Sequence, residues 1–135
     1  MSRVLIDTCM WSLAFRRKGP VGNKVAKEIS SLIDENRAKI IGLVRQEVLS
    51  GYSDIKSYTN LRDKLRYFPN EATIDSDYEV AAEYSNLCRK NGIQGSHADF
   101  LICAVSARLK MKIYTNDKDF QYYAKYLPVK LHQKN

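Results

Sequence analysis

Cysteine, histidine and long apolar stretches are scarce in this sequence, and each scarcity narrows the classes of protein it can encode. The cysteines Cys9, Cys88 and Cys103 are an odd number, show no CxxC spacing and lie in apolar surroundings. We therefore expect reduced thiols in the core. No run approaches the ~18 apolar residues of a membrane span, and no apolar signal segment precedes the first strand-like residues. These absences predict a cytoplasmic protein without a membrane segment.

The sequence also lacks repeats, low-complexity segments and linkers, which favours one domain over residues 1–135. Hydrophobic residues make up 44% and charged residues 27%, an ordinary globular balance. A chain of this length buries roughly two-thirds of its unfolded surface, so a core can form without disulfide staples. A packed fold is therefore expected.

Acidic residues are fewer than basic residues in this sequence. The 22 Lys and Arg residues outnumber the 15 Asp and Glu residues, which gives a formal charge of +7 and a pI of about 9.3. This excess favours polyanionic partners. A solvated basic surface explains the same balance, so the position of the few acids becomes the informative feature.

Strand-like and helix-like segments alternate along the chain. Apolar runs predict strands at 3–6, 39–43 and 112–115, with further short strands at 72–74 and 129–131. Helical spacing and stop signals predict helices at 21–36, 44–52, 55–67, 76–91, 96–109 and 117–126, and another helix starts directly after the first strand. The alternation predicts an α/β fold with a central, mainly parallel sheet flanked by helices, where sites form at the carboxyl ends of strands.

Two aspartates fall where predicted strands end. Asp7 follows the first strand, and Asp117 follows the strand at 112–115, with Asp119 two residues further on. Aspartate is also a leading N-cap residue, so a capping role explains each of them taken alone.

Two further acids lie on helices beside apolar residues. Glu47 is close to the apolar stripe of its helix, and Asp99 opens the most apolar helix of the chain. Mid-helix glutamate usually faces solvent, and Ser96-x-x-Asp99 matches a capping pattern. A carboxylate at the edge of a core nevertheless needs a partner or a metal. Strand-end and helix-borne carboxylates around one crevice would form the oxygen-rich arrangement that hard divalent cations require.

Four stretches of the sequence are informative together: Leu5-Ile6-Asp7-Thr8 with Trp11, Gln46 to Gly51, Asp99 to Ala104, and Thr115 to Phe120. In this order and spacing they resemble the PIN-domain nucleases, and among these the VapC-type toxins of bacterial toxin–antitoxin pairs. The resemblance implies that the acids that bind Mg²⁺ or Mn²⁺ are Asp7, Glu47, Asp99 and Asp117. It makes Asp119 a supporting acid and places Thr8 and Thr115 beside the metal site.

The resemblance also implies an activity: an endoribonuclease that hydrolyses RNA phosphodiester bonds, with tRNA or rRNA as candidate substrates, a cognate antitoxin as partner, and a homodimeric state. Basic residues near the crevice are candidates for gripping RNA, either Arg16, Arg17 and Lys18 or Arg62, Lys64 and Arg66. Tyr122, Tyr123 and Tyr126 are candidates for base stacking, although aromatic residues at helical spacing are more often core.

Two other interpretations stay open at this stage. The first is a PIN-domain nuclease for RNA processing without a toxin role. The second is a phospho-acceptor signalling domain, which is also small and α/β, but the first strand lacks an adjacent acidic pair and Thr115-Asn116 stands where a lysine is expected. A metal-free ribonuclease would use a pair of histidines as general acid and base, and the only histidines in this sequence are His97 and His132. His97 is a weak candidate for substrate contact, and His132 has no assigned role.

Overall fold

Short buried strands form the centre of the fold. In the computed structural model, which describes residues 1–133, the sheet contains β1 (Val4–Ile6), β2 (Ala38–Ile41), β3 (Asn70–Glu71) and β4 (Lys112–Tyr114). All pairs are parallel, and the strand order is β3-β2-β1-β4. The three residues of β1 are completely buried, because parallel strands covered on both faces are apolar throughout. The predicted α/β class with a parallel sheet is confirmed.

Helices flank this sheet. Within residues 1–133 there are seven: α1 (Thr8–Arg16), α2 (Gly19–Asp34), α3 (Gly42–Ser50), α4 (Ile55–Leu65), α5 (Asp75–Lys90), α6 (His97–Leu109) and α7 (Asp119–Tyr126). Helix α6 is buried continuously from Phe100 to Ser106, which its nearly all-apolar sequence predicts. None of the helices in this part of the chain combines the length and hydropathy needed to traverse a lipid bilayer.

The pairing of β1 with β4 brings two strand ends together. Ile6 is in register with Tyr114, and the Asp7 backbone N–H donates to the Tyr114 carbonyl at 3.0 Å. The next residues on both strands, Asp7 and Thr115, therefore lie side by side at the carboxyl edge of the sheet. This is the edge at which α/β folds place their sites.

The third strand begins two residues earlier than the predicted segment 72–74, which was wrong in this detail. The Arg45 guanidinium of α3 donates to the carbonyls of Leu65 and Phe68 and to the side chain of Asn70. These contacts hold the chain against β2 at Asn70–Glu71. The segment predicted at 129–131 forms one isolated parallel bridge, between Ile113 and Leu131, and no strand.

Candidate active site

Asp7 is the most buried acid at the carboxyl edge of the sheet, with 7% of its surface exposed. Its Oδ1 accepts a hydrogen bond from the Thr8 backbone N–H at 2.8 Å, which makes Asp7 the N-cap of α1. Its Oδ2 accepts from the Thr115 hydroxyl at 2.9 Å and from the Cys9 thiol at 3.6 Å. Both carboxylate oxygens are thus held in a fixed orientation.

A chain of hydrogen bonds connects Asp7 to the acids that follow β4. The Asp117 backbone N–H donates to the Thr115 hydroxyl oxygen at 3.0 Å, and the Asp119 N–H donates to Asp117 Oδ1 at 2.9 Å. Because Thr115 also binds Asp7, one short turn sets the positions of three carboxylates. This local geometry makes the acid pair after β4 part of the same site as the acid after β1.

Asp99 completes the cluster from the other side. One carboxylate oxygen from each of Asp99, Asp117 and Asp119 lies within 4.8 Å of the others. Ser96 caps α6 by accepting from the Asp99 backbone N–H at 3.1 Å, so the Asp99 side chain is not needed as the cap. Acids from three segments distant in sequence thus lie close together: Asp117 is linked to Asp7 through Thr115 and lies in the group with Asp99 and Asp119.

Glu47 lies at the margin of this cluster. Its Oε1 accepts a hydrogen bond from the Thr8 hydroxyl at 2.8 Å, and the residue is exposed on α3. Thr8 therefore joins Glu47 to the residue next to Asp7. Glu47 is therefore linked to the cluster through Thr8. Asp119, which was expected only as a supporting acid, lies in the group of three acids within 4.8 Å of one another.

The electrostatics of the cluster are unfavourable for negative charge. Burial raises the pKa of Asp7 even though hydrogen bonds from Thr115 and Thr8 oppose the rise, and repulsion from Asp117 adds to it. Burial likewise raises the pKa of Asp99, and repulsion from Asp7 and Asp117 adds to it. For both residues burial is the larger cause, and the repulsion shows that their carboxylates lie close enough to other acids to interact.

A hard divalent cation fits this donor set. Carboxylate oxygens are the ligands that Mg²⁺ and Mn²⁺ take, and convergent acids on rigid strand ends and helix starts are pre-positioned for them. The positive charge would also relieve the repulsion that the acids exert on one another. Asp7, Asp99, Asp117 and Asp119 are the residues whose placement suits that role best.

Cys9 and Tyr123 contact the acids in ways that the sequence does not predict. Cys9 was predicted to be a core thiol, but it is half-buried and lies within hydrogen-bonding distance of Asp7 and Thr115. Burial raises its pKa, so the thiol stays protonated. Tyr123 is fully buried, and its hydroxyl donates to Asp99 Oδ2 at 2.6 Å, a contact that sequence spacing does not reveal.

The basic residues that were candidates for gripping RNA lie mainly on the surface. The Arg16 guanidinium stacks 5.7 Å from the ring centre of Tyr52, while Arg17 and Lys18 are exposed where α1 ends. In the second basic group, Arg62 and Arg66 form ion pairs with Asp63, and Lys64 is exposed.

Neither histidine lies in the acid cluster. His97 is exposed and lines a cleft of about 630 Å³ between α3, α5 and α6. His132 contacts Glu28 at 2.8 Å, which ties the segment after α7 to α2. Tyr122 and Tyr126 are exposed, so of the three tyrosines on α7 only Tyr123 is core.

The fold and the site together define an α/β protein with a carboxylate cluster at the carboxyl edge of a parallel sheet. The family model described as the PIN domain matches residues 4–126, and the chain belongs to that family. This membership agrees with the resemblance of the four motifs and leaves no support for the phospho-acceptor interpretation.

Solved structures with the same fold are distant in sequence. FitAcB from Neisseria gonorrhoeae is 18% identical, with a TM-score of 0.77 and 96% of each chain covered. VapBC2 from Rickettsia felis, bound to a DNA fragment from its promoter, is 14% identical, with a TM-score of 0.76 and 98% of each chain covered. FitAB bound to an IR36 DNA fragment is 17% identical, with a TM-score of 0.72. A comparison with curated protein sequences finds no match.

Proposed function

We propose that this chain is a divalent-metal-dependent endoribonuclease that acts as the toxin of a toxin–antitoxin pair. The observation that carries the proposal is the meeting of Asp7, Asp99, Asp117 and Asp119 at one edge of the sheet. These acids repel one another within a chain of net charge +7, where nothing in overall composition favours a concentration of negative charge. A cation site for phosphodiester chemistry accounts for that arrangement.

In this proposal the acids hold Mg²⁺ or Mn²⁺, and Glu47 borders the site through Thr8. Bound in this way, such a cation lowers the pKa of water and neutralises charge on a phosphate. The protein's own contribution is orientation: the Thr115 hydroxyl donates to the Asp7 carboxylate and accepts from the Asp117 backbone N–H, and the Thr8 N–H fixes Asp7 Oδ1. Ligands fixed by such contacts need little reorganisation when the cation and the substrate arrive.

RNA is the proposed substrate because the net positive charge favours a polyanion and the motifs resemble ribonuclease toxins. The exposed basic residues Arg17 and Lys18, together with Arg16, are the proposed grip on the RNA backbone. The toxin role, a cognate antitoxin, a homodimer and a cytoplasmic location form the rest of the proposal. The likeness to VapBC2 and FitAB supports the partner, and the free cysteines are in keeping with a reducing compartment.

The chemistry is tested with purified protein and a structured RNA. We expect cleavage with Mg²⁺ or Mn²⁺ that leaves 5′-phosphate ends, and loss of cleavage in Asp7→Asn and Asp99→Asn. Asp34→Asn is the matched control, because Asp34 is an exposed acid at the end of α2. Cleavage that persists in excess EDTA, or an Asp7→Asn variant as active as Asp34→Asn, would refute the metal mechanism.

The toxin role needs a separate test in cells. Induced expression of wild type should arrest bacterial growth, while Asp7→Asn should permit it. If both strains grow equally well although the purified wild type cuts RNA, the chain is a PIN-domain nuclease of RNA processing rather than a toxin in that host.

A further inference from the structure

Tyr123 connects the two helices that carry Asp99 and Asp119. It lies on α7, which begins at Asp119, and its hydroxyl donates to Asp99 Oδ2, near the start of α6, at 2.6 Å. A distance this short is typical of a hydrogen bond between a hydroxyl and an ionised carboxylate, which is about twice as strong as a neutral one. The contact spans 24 residues of sequence and fixes one oxygen of a proposed metal ligand.

The phenol ring is held rigidly on both sides. Its centre lies 5.1 Å from the ring centre of Phe100 on α6 and 5.1 Å from that of Phe120 on α7. All three rings are buried, with Tyr123 completely inaccessible. Tilted and edge-on contacts of this kind define the position of a ring, so the hydroxyl has little freedom to leave Asp99.

The backbone before α6 leaves room for this hydroxyl only because residue 95 is glycine. A Cβ atom placed on Gly95 would lie 2.8 Å from Tyr123 Cζ and 2.8 Å from Phe100 Cζ, and closer still to the Tyr123 hydroxyl. Gly95 does not have a positive φ, so alanine suits its backbone conformation. A side chain at this position is excluded by the Phe100 ring and by the phenol of Tyr123, which reaches past Gly95 to Asp99.

We propose that Tyr123 is a positioning residue: it fixes the Asp99 carboxylate relative to Asp117 and Asp119, and Gly95 provides the space for it to do so. The inference rests on the proposed function, in which Asp99 binds the cation. Without the hydroxyl, the Asp99 side chain gains rotational freedom, so the three acids no longer hold a fixed geometry. Removing a hydrogen-bond partner of a metal ligand typically weakens metal binding by about 10–100-fold.

The test is Mn²⁺ binding to the purified chain without RNA, measured by titration calorimetry or by electron paramagnetic resonance of free Mn²⁺. Tyr123→Phe keeps the ring and removes the hydroxyl, whereas Gly95→Ala keeps the hydroxyl and displaces it. Tyr122→Phe is the matched control, because Tyr122 is the neighbouring tyrosine on α7 and is 50% exposed. Circular dichroism and melting temperature establish that each variant is folded.

We expect Tyr123→Phe and Gly95→Ala each to weaken Mn²⁺ binding by about tenfold or more, and Tyr122→Phe to bind like wild type. In RNA cleavage, Tyr123→Phe should require more Mn²⁺ for half-maximal rate, while KM for RNA stays unchanged. A role confined to packing would lower the melting temperature and leave Mn²⁺ affinity alone.

Two results would overturn the inference, and they differ in what they say about the function. If wild type and Tyr123→Phe bind Mn²⁺ equally, Tyr123 does not position Asp99, although the nuclease proposal stands. If wild type binds no Mn²⁺, the proposed function fails and the inference fails with it.

Discussion

Mn²⁺ is predicted to stabilise the folded chain by an amount that can be worked out in advance. A ligand that binds only the native state adds about 2.7 kcal/mol when its free concentration is 100 times Kd. With an unfolding entropy of about 2.1 cal/mol/K per residue, the 135 residues give roughly 0.28 kcal/mol/K. The melting temperature should therefore rise by about 9–10 °C at that Mn²⁺ concentration.

The assay is differential scanning calorimetry over a series of Mn²⁺ concentrations, with Kd measured independently. Asp99→Asn and Asp117→Asn should lose most of the rise, because each removes a carboxylate from the group within 4.8 Å. Asp34→Asn should keep all of it, since that exposed acid lies at the end of α2. A melting temperature that does not change with Mn²⁺, or an equal rise in a variant lacking both Asp99 and Asp117 carboxylates, would refute the assignment of the site.

Three further predictions concern stability. Burial raises the pKa of Asp7, so the native state binds the carboxyl proton more tightly than the unfolded state and loses stability as pH rises through the raised pKa. In urea unfolding at neutral pH, metal-free Asp7→Asn should therefore be more stable than wild type. This difference in stability should disappear in acid. Arg108 binds the carboxylate of the buried Asp77 at 2.8 and 2.9 Å and lowers its pKa. Because Arg108→Leu leaves this carboxylate without its partner, it should cost about 1–3 kcal/mol in urea unfolding at neutral pH. The cost should be smaller in acid, since this stabilisation is lost as pH falls through the lowered pKa. His132→Ala should speed amide exchange at 129–132, since it removes the contact with Glu28; unchanged exchange would contradict that role.

The sequence was sufficient to predict the α/β architecture and the edge of the sheet at which the candidate site lies. Strands such as Val4–Ile6 and Lys112–Tyr114 are apolar runs, and their alternation with helical periodicity predicts a parallel sheet. Because carboxyl ends of adjacent parallel strands meet at one edge, acids that follow different strands can be expected to converge. This reasoning predicts that Asp7 and Asp117 approach each other, and in the structure Thr115 contacts both residues.

Contacts between side chains on distant elements could not be predicted in this way. The hydrogen bond from Tyr123 to Asp99 depends on how α7 packs against α6, and periodicity indicates only that Tyr123 faces inward. The position of β3 depends on Arg45, which reaches from α3 to carbonyl groups in the segment before the strand. Cys9 looked like a core thiol because its neighbours are apolar, while its side chain turns towards Asp7.

Two capping aspartates in the same chain show why capping alone does not explain the cluster. Asp54 caps α4 by accepting from the Ser57 N–H, and this hydrogen bond lowers its pKa, as expected of an exposed cap. Asp7 caps α1 in a similar way, yet its pKa is raised, because it is buried and has Asp117 beside it. A neutral asparagine or serine would cap α1 about equally well. A charged residue at this buried position costs stability without improving the cap, and the proposed cation site would account for its presence.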